Sequence, residues 1–302
     1  PRLRSLTLPF NKAAAHPTQQ SHVMVLQPIR RLSLSGCGWL FPFHVGVISS
    51  LQAHGVIGES TILTGVSGGA LVATGHASGL SENDMMDVAK DIIERWSIRG
   101  GGSIFDVWGQ MGPIVEDAMH RALPSDAHLR CNGKVSLAVT PVAATSSIWH
   151  DHPIMFGHHG AAREKDDNDD LIFRSKDDLI QCCLCSSHIP YYMDNHFSKE
   201  WRGKQWLDGG MVDILAPVPK EDIEHCIQSM PYHIMAAVRR RRNERELPII
   251  TPLQSEFQLL MELLPWTFVP SQNLENLQRL RDAGYSSAER FISEQQKNGR
   301  LQ

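Results

Sequence analysis

The stretch TILTGVSGGALVATGHAS, residues 61–78, changes from strand-like to helix-like character at a single serine. Its first four residues are β-branched or apolar and predict a strand, whereas the residues that follow Gly69 favour a helix. Ser67 stands between glycines at this transition. A tight strand-to-helix turn exposes the serine hydroxyl, and the amide hydrogens of the following helix point towards it. The pattern predicts a nucleophilic serine; a helix start softened by glycine is the alternative.

Length and composition are those of an ordinary globular chain. The 302 residues suffice for one large domain or two small ones, and 42% of them are hydrophobic. The net charge of −4 gives no sign of a nucleic-acid partner. Six cysteines lack the paired spacing of a zinc site or a disulfide framework, so we expect reduced thiols in an intracellular protein.

Three regions are predicted from the distribution of apolar and charged residues. Residues 1–21 show no steady period and predict a flexible N-terminal segment. Their basic residues come without Asp or Glu, which is typical of an organelle-targeting segment; a frayed terminus is the alternative. Residues 22–250 are predicted to form the main domain. Residues 251–302 predict a C-terminal helical extension of two helices, separated by Pro265 and Pro270.

Strands and helices alternate along the main domain. Strands are predicted at 22–26, 31–35, 61–64, 134–140, 205–207 and 232–238, and helices at 43–54, 69–78, 81–96 and 175–185. Ser81 and Asp84 predict a capping box at the start of the third helix. The alternation predicts an α/β fold with a mostly parallel sheet covered by helices on both faces.

Two further turns carry candidate functional groups. The segment Ser35-Gly36-Cys37-Gly38 follows a predicted strand and precedes a helix, so its backbone amides suit a phosphate or an oxyanion. The dinucleotide fingerprint fails, because Phe41 stands where the third glycine is required. The segment Asp208-Gly209-Gly210 presents a carboxylate on a turn; an ordinary Asp-Gly turn is the alternative.

A Ser-His-Asp triad requires a histidine on a loop. The candidates after Asp208 are His225, in a predicted helix, and His233, in a predicted buried strand. Neither position suits a catalytic histidine. The sequence therefore favours a two-residue site in which Asp208 is the base for Ser67.

The three turns, in this order and spacing, resemble the patatin-like phospholipase family. The branch that contains adipose triglyceride lipase and adiponutrin has a similar first turn, followed by a helix like His44-Val45-Gly46-Val47 here. The resemblance extends over residues 31–220 and includes CSSHIP at 185–190. It implies a three-layer α/β/α fold, a dyad of Ser67 and Asp208, and hydrolysis of lipid acyl esters through an acyl-enzyme.

The resemblance also implies roles for the glycine-rich turns. It implies an oxyanion hole built from the amides of Gly36, Cys37 and Gly38. The first turn departs from the family pattern, because Cys37 replaces the middle glycine and Phe41 the last one. Backbone amides rather than side chains stabilise an oxyanion, so these changes are compatible with activity. The glycines that support the motifs are Gly65, Gly69, Gly209 and Gly210.

Three functions stay open at this point. A hydrolase would release fatty acid from a triacylglycerol or a phospholipid. An acyltransferase would use the same acyl-enzyme, with a lipid alcohol in place of water. A non-catalytic lipid-surface or scaffolding protein is favoured by the altered first turn and opposed by the presence of Ser67 and Asp208.

The expected partners are a lipid substrate, a membrane or lipid-droplet surface contacted peripherally from the cytoplasm, and a protein activator. We expect no nucleic acid, no cofactor and no metal. Arg239–Arg242 would meet anionic headgroups or form a solvated strand exit, and residues 257–266 would lie in a lipid interface or cover the sheet. The aromatic and apolar residues beside the first turn would line an acyl channel or pack the first helix: Trp39, Leu40, Phe41 and Phe43. Four histidines in a polar loop lack the helical spacing of metal ligands: His150, His152, His158 and His159.

Overall fold

The computed structural model describes residues 28–99, 104–142, 153–157, 171–213, 225–227, 249–252 and 260–298. Several sequence predictions lie outside these residues, among them the N-terminal segment, the strands at 22–26 and 232–238, the four loop histidines and the arginine run.

Eight strands in the described part of the chain form one sheet. They are β1 (Arg31–Leu34), β2 (Ile62–Gly65), β3 (Val135–Pro141), β4 (Ile154–Phe156), β5 (Lys199–Trp201), β6 (Lys204–Asp208), β7 (His225–Ile227) and β8 (Ile249–Ile250). Their order is β5-β6-β3-β2-β1-β7-β8, and β4 also pairs with β3. The pairs within β3-β2-β1-β7-β8 are parallel, whereas β3–β4, β3–β6 and β5–β6 are antiparallel. The predicted mostly parallel sheet is confirmed.

Helices follow most of the strands. They are α1 (Phe41–Ala53), α2 (Gly68–Ala77), α3 (Glu82–Ile98), α4 (Ile104–Val107), α5 (Met111–Ala122), α6 (Ala127–Cys131), α7 (Lys176–Ser186), α8 (Gly210–Asp213), α9 (Leu260–Phe268) and α10 (Leu274–Lys297), with a 3-10 turn at Gly38–Leu40. The predicted capping box is present, because Ser81 N–H donates to the Asp84 carboxylate at 2.8 Å and Asp84 N–H donates to Ser81 Oγ at 3.2 Å. Large side chains such as Phe43, Trp96 and Trp206 are buried in one continuous apolar core. The architecture is a three-layer α/β/α fold.

Two local predictions are wrong. The segment around His225 was expected to be helical, but it forms β7 and pairs in parallel with β1. A short segment takes the extended form when the edge of a sheet offers it hydrogen bonds, whatever its local preference. Pro265 was expected between two helices, but it lies inside α9. Pro265 removes one backbone hydrogen-bond donor from α9. The burial of Leu263 and Thr267 on either side of it stabilises the helix by more than this loss costs.

The last helix packs directly on the first. A Cβ atom at Gly46 of α1 would lie 1.9 Å from the Arg281 carbonyl oxygen, and one at Gly284 of α10 would lie 2.1 Å from the Phe43 carbonyl oxygen. The two helix backbones therefore touch without intervening side chains. The predicted C-terminal extension is in contact with the main domain at this crossing; the boundary near residue 251 stays a prediction.

Candidate active site

Ser67 lies on a strained turn between β2 and α2. Its φ of 54° and ψ of −126° lie in a region that L-residues rarely adopt. It precedes the first residue of α2, so the positive end of that helix faces it. Its exposed fraction is 8%. The structure thus contains the strained strand-to-helix turn that the sequence predicted.

Glycines allow this turn to touch the turn that follows β1. A Cβ atom at Gly68 would lie 2.5 Å from Cys37 Sγ and 2.7 Å from the Gly38 carbonyl oxygen. One at Gly69 would lie 2.5 Å from the Leu34 carbonyl oxygen. Contacts this short are not seen for real Cβ atoms, so any other residue would force the two turns apart.

The first turn holds the three residues predicted to form the oxyanion hole. Gly36 and Cys37 are buried, and Gly38 has a φ of 52°. Beside them, His44 Nε2 donates to the Ser35 carbonyl oxygen at 3.1 Å. Burial lowers the pKa of His44 to about 4, so the imidazole is neutral at physiological pH and can donate this hydrogen bond without adding a charge.

The carboxyl end of α9 packs on the same turn. A Cβ atom at Gly38 would lie 2.0 Å from the Thr267 carbonyl oxygen. Next to it, Trp39 Nε1 donates to the Tyr192 hydroxyl at 2.7 Å, and that hydroxyl donates to the Phe268 carbonyl oxygen. Helix α9 and the segment around Tyr192 therefore contact the first turn and stabilise its position.

Strand register brings Asp208 to the level of Ser67. On one side of β3, Gly65 pairs with Leu137. On the same side, just beyond the end of β2, Asp208 pairs with Val139, two residues further along β3. Strand β4 occupies the opposite side, because it pairs with both Leu137 and Val139. Ser67 is also two residues beyond Gly65, so the two side chains arrive at the same level although β6 runs antiparallel to β3.

Asp208 is buried and hydrogen-bonded to Ser67. Its exposed fraction is 4%, its Oδ1 accepts from Gly210 N–H at 2.6 Å, and its carboxylate accepts from the Ser67 side chain. Burial raises the pKa of Asp208 to about 7, and the two hydrogen bonds oppose this rise. A carboxyl group with a pKa near the working pH can take and return a proton.

Ser186, at the end of α7, was not singled out by the sequence. Its Oγ accepts from Ser67 N–H at 3.1 Å and donates to the Ala138 carbonyl oxygen at 2.7 Å. Its own carbonyl oxygen accepts from Gly209 N–H at 3.2 Å. One serine therefore ties together the Ser67 turn, β3 and the Asp208 turn. The only sequence signal was the resemblance of CSSHIP, which does not separate Ser186 from Ser187.

The remaining motif glycines occupy close contacts. A Cβ atom at Gly65 would lie 2.6 Å from the Ala70 Cα atom, and one at Gly209 would lie 2.3 Å from the Ala138 carbonyl oxygen. Gly210 supplies the amide that binds Asp208 and begins α8. All nine site residues predicted from the sequence therefore lie in three adjacent turns.

An apolar cavity leads away from Ser67 between α2, α3 and α5. The space between its walls, including the opening to solvent, is about 880 Å³. The part of this space that the centres of water-sized molecules can occupy is about 100 Å³, so the cavity is narrow. Trp39 and Phe41 line the cavity, as the sequence suggested, but Leu40 and Phe43 are buried in the core and do not.

The described residues contain neither a candidate metal site nor a helix that could span a membrane. In residues 28–99 and the later described ranges, no group of three or more His, Cys, Asp or Glu side chains is arranged to hold a metal ion. None of the helices in the described residues is both long and apolar enough to cross a membrane.

The sheet and its three turns define a patatin-type α/β protein. Residues 32–219 match the model of the patatin-like phospholipase family, which is more than half of the chain. The chain belongs to this family, and the resemblance found in the sequence is confirmed. Membership supports a lipid hydrolase or acyltransferase activity.

Relatives of known name agree with this placement. The human 1-acylglycerol-3-phosphate O-acyltransferase PNPLA3 is 26% identical over 268 residues, which are 87% of this chain and 50% of that protein. The mouse patatin-like phospholipase domain-containing protein 2 is 26% identical over 289 residues, 89% of this chain and 51% of that protein. The chain thus spans about half the length of these relatives. Among solved structures, VipD from Legionella pneumophila matches 89% of this chain and 70% of its own, with a TM-score of 0.48 and 13% identity.

Proposed function

We propose that this protein is a lipid acyl hydrolase in which Ser67 is the nucleophile and Asp208 is its base. The observation that carries the proposal is the hydrogen bond between the Ser67 side chain and the buried Asp208 carboxylate. The strained turn fixes the hydroxyl in place, and the raised pKa of Asp208 makes it a stronger base than an exposed carboxylate.

The proposed reaction has two half-reactions. Ser67 Oγ attacks the ester carbonyl carbon while its proton moves to Asp208, and the carbonyl oxygen becomes an oxyanion. In this proposal, amides of the turn at Gly36–Gly38 and the amino end of α2 stabilise that charge. Asp208 returns the proton to the leaving alcohol, which leaves an acyl-enzyme. Water then gives a proton to Asp208 and attacks the acyl carbon. As the bond to Ser67 Oγ breaks, Asp208 returns this proton to Ser67 Oγ, and the fatty acid is released.

Acyl transfer is a second candidate, and the name of one relative favours it. The human relative is called a 1-acylglycerol-3-phosphate O-acyltransferase. In that case the hydroxyl of a lysophospholipid takes the place of water in the second half-reaction. Ser67 and Asp208 keep the same roles, so their removal does not separate the two functions, but the identity of the acyl product does.

We also propose that the cavity mouth meets a lipid surface, such as a membrane or a droplet facing the cytoplasm. Two exposed aromatic residues contact Tyr192, which lines the cavity. The Trp108 ring lies 5.8 Å from the Tyr192 ring and is 46% exposed, and Phe268, whose carbonyl oxygen binds the Tyr192 hydroxyl, is 39% exposed. Large aromatic side chains of this kind are favoured at membrane interfaces.

Product analysis tests the reaction. The intact protein is incubated with triolein emulsions, with phosphatidylcholine vesicles, and with acyl donors plus lysophosphatidic acid. Free fatty acid or phosphatidic acid should form and should fall below detection in Ser67→Ala and Asp208→Asn. Ser50→Ala, which changes a buried serine of α1, is the control and should keep the activity. Activity that persists in Ser67→Ala would refute the nucleophile, and an inactive but folded intact protein would favour the scaffolding alternative.

Vesicle flotation tests the lipid surface. Trp108→Ala should lower the fraction bound to phosphatidylcholine vesicles several-fold. Leu129→Ala is the matched control, because Leu129 is 67% exposed and lies in α6, which precedes the amino end of β3. Equal binding of both variants would contradict the proposed surface.

A further inference from the structure

We propose that the cavity beside Ser67 holds one acyl chain, and that its closed end limits this chain to about ten to twelve carbons. The cavity runs along α2 from Ser67 to Gly75. Eight residues of helix advance about 12 Å at a rise of ~1.5 Å each. An extended alkyl chain advances about 1.25 Å per bond, given bonds of ~1.5 Å and angles of ~111°. The catalytic part of this inference rests on the proposed function, because Ser67 would carry the acyl group.

One face from each of three helices forms the walls. The residues repeat every three or four positions, as expected when a single helical face lines a channel parallel to the axis. They are Leu71 and Gly75 from α2, Met85, Val88 and Ile92 from α3, and Val115, Met119 and Ala122 from α5. This arrangement gives an elongated space parallel to the helix axes, which suits one unbranched chain.

The deep end is closed by apolar side chains around Gly75. A Cβ atom at Gly75 would lie 3.3 Å from Met85 Sδ and 3.6 Å from Leu80 Cδ1. Met85 and Leu123, which both line the cavity, are buried. The missing side chain of Gly75 therefore provides the last part of the channel, and Met85 ends it.

The chemistry of the walls selects an apolar occupant. Among the described residues that line the cavity, none is charged, and the hydroxyl-bearing ones are Ser67, Ser187 and Tyr192. The Tyr192 hydroxyl already bonds to Trp39 and to the Phe268 carbonyl oxygen. A charged headgroup would lose its hydration here without gaining a partner, so it must stay outside.

Chain-length profiles test the inference in two independent ways. The first measures kcat/KM for p-nitrophenyl esters from four to sixteen carbons. The second measures binding of saturated fatty acids of the same lengths to Ser67→Ala by calorimetry. Each added methylene should raise kcat/KM or affinity by up to about fourfold, and the rise should stop near ten to twelve carbons.

Two variants should move the limit in opposite directions. Met85→Ala opens the deep end and should extend the limit by two or more carbons, whereas Gly75→Leu fills it and should shorten the limit by several carbons. Met86→Ala is the matched control, because Met86 is the adjacent buried methionine of α3 and does not line the cavity. It should leave the limit unchanged.

The outcomes separate this inference from the proposed function. If the intact protein cleaves no ester but fatty acids bind with a limit that Met85→Ala moves, the inference stands and the hydrolase proposal fails. If Ser67-dependent cleavage rises without a limit through sixteen carbons, the hydrolase stands and the inference is overturned. Equal profiles for Met85→Ala and Met86→Ala would also overturn it.

Discussion

Replacing Asp208 with asparagine should make the protein more stable at neutral and alkaline pH while it abolishes turnover. Asp208 is buried, and its pKa is raised from the ordinary value of 3.8 to about 7. One pKa unit corresponds to about 1.4 kcal/mol, so the gap of roughly three units corresponds to about 4 kcal/mol at most. Asparagine keeps the size of the side chain and removes the charge.

The direction with pH follows from the raised pKa. A carboxyl group with a higher pKa in the folded state binds its proton more tightly there than in the unfolded chain. Its contribution to stability is complete below pH 3.8 and is lost as the pH rises towards 7. Between pH 5 and pH 8, the free energy of unfolding of the wild type should therefore fall by about 3 kcal/mol relative to Asp208→Asn.

Urea denaturation of the two proteins at pH 5, 6, 7 and 8 measures this difference. All other titrating groups are shared, so their effects cancel when the two curves are subtracted. In parallel, kcat/KM of the wild type should rise with pH and reach half of its plateau near pH 7, because the base must be ionised. A stability difference that does not change with pH, or an activity already at its plateau at pH 5, would refute a buried base with a raised pKa.

Two further substitutions test the packing around the site. Ser186→Ala leaves the buried Ser67 N–H unpaired, so it should lower the free energy of unfolding by about 2 kcal/mol and reduce kcat. Ser50→Ala should do neither in urea and turnover assays, because Ser50 Oγ has no hydrogen-bond partner among the described residues and does not line the cavity. Gly284→Ala should lower the thermal midpoint, since the new Cβ would overlap the Phe43 carbonyl oxygen and overpacking costs about 1–3 kcal/mol. Gly58→Ala, where the nearest atom would be 3.4 Å away, should leave the midpoint within a degree or two and is the calorimetric control.

The predictable parts of this protein are those that depend on neighbouring residues. The Ser67 turn, the Asp208 turn and the Ser81 capping box each arise within a few positions, where glycine, serine and aspartate have specific backbone chemistry. The pairing of the two catalytic candidates followed from the lack of a suitably placed histidine, and the resemblance implied the same pair.

The parts that sequence reasoning missed depend on distant partners. His225 was placed in a helix, but its segment is extended because β1 offers it hydrogen bonds from nearly two hundred positions away. The link from Ser67 to Ser186 joins residues 119 positions apart. Apolar periodicity indicated helix faces, but it could not show which faces of α2, α3 and α5 would enclose a cavity together.

The structure also bears on why a histidine is not required for the proposed chemistry. Among the described residues, His188 comes near the site, but it offers Asp208 only its backbone carbonyl oxygen, at 2.9 Å from Asp208 N. Its ring instead contacts the His196 carbonyl oxygen and the Asp194 carboxylate. Burial gives Asp208 a pKa of about 7, close to the ~6.5 of an ordinary imidazole. In the enclosed site, the Asp208 carboxylate thus has about the base strength that a histidine has in a triad. Exposure of Asp208 to water would remove this base strength.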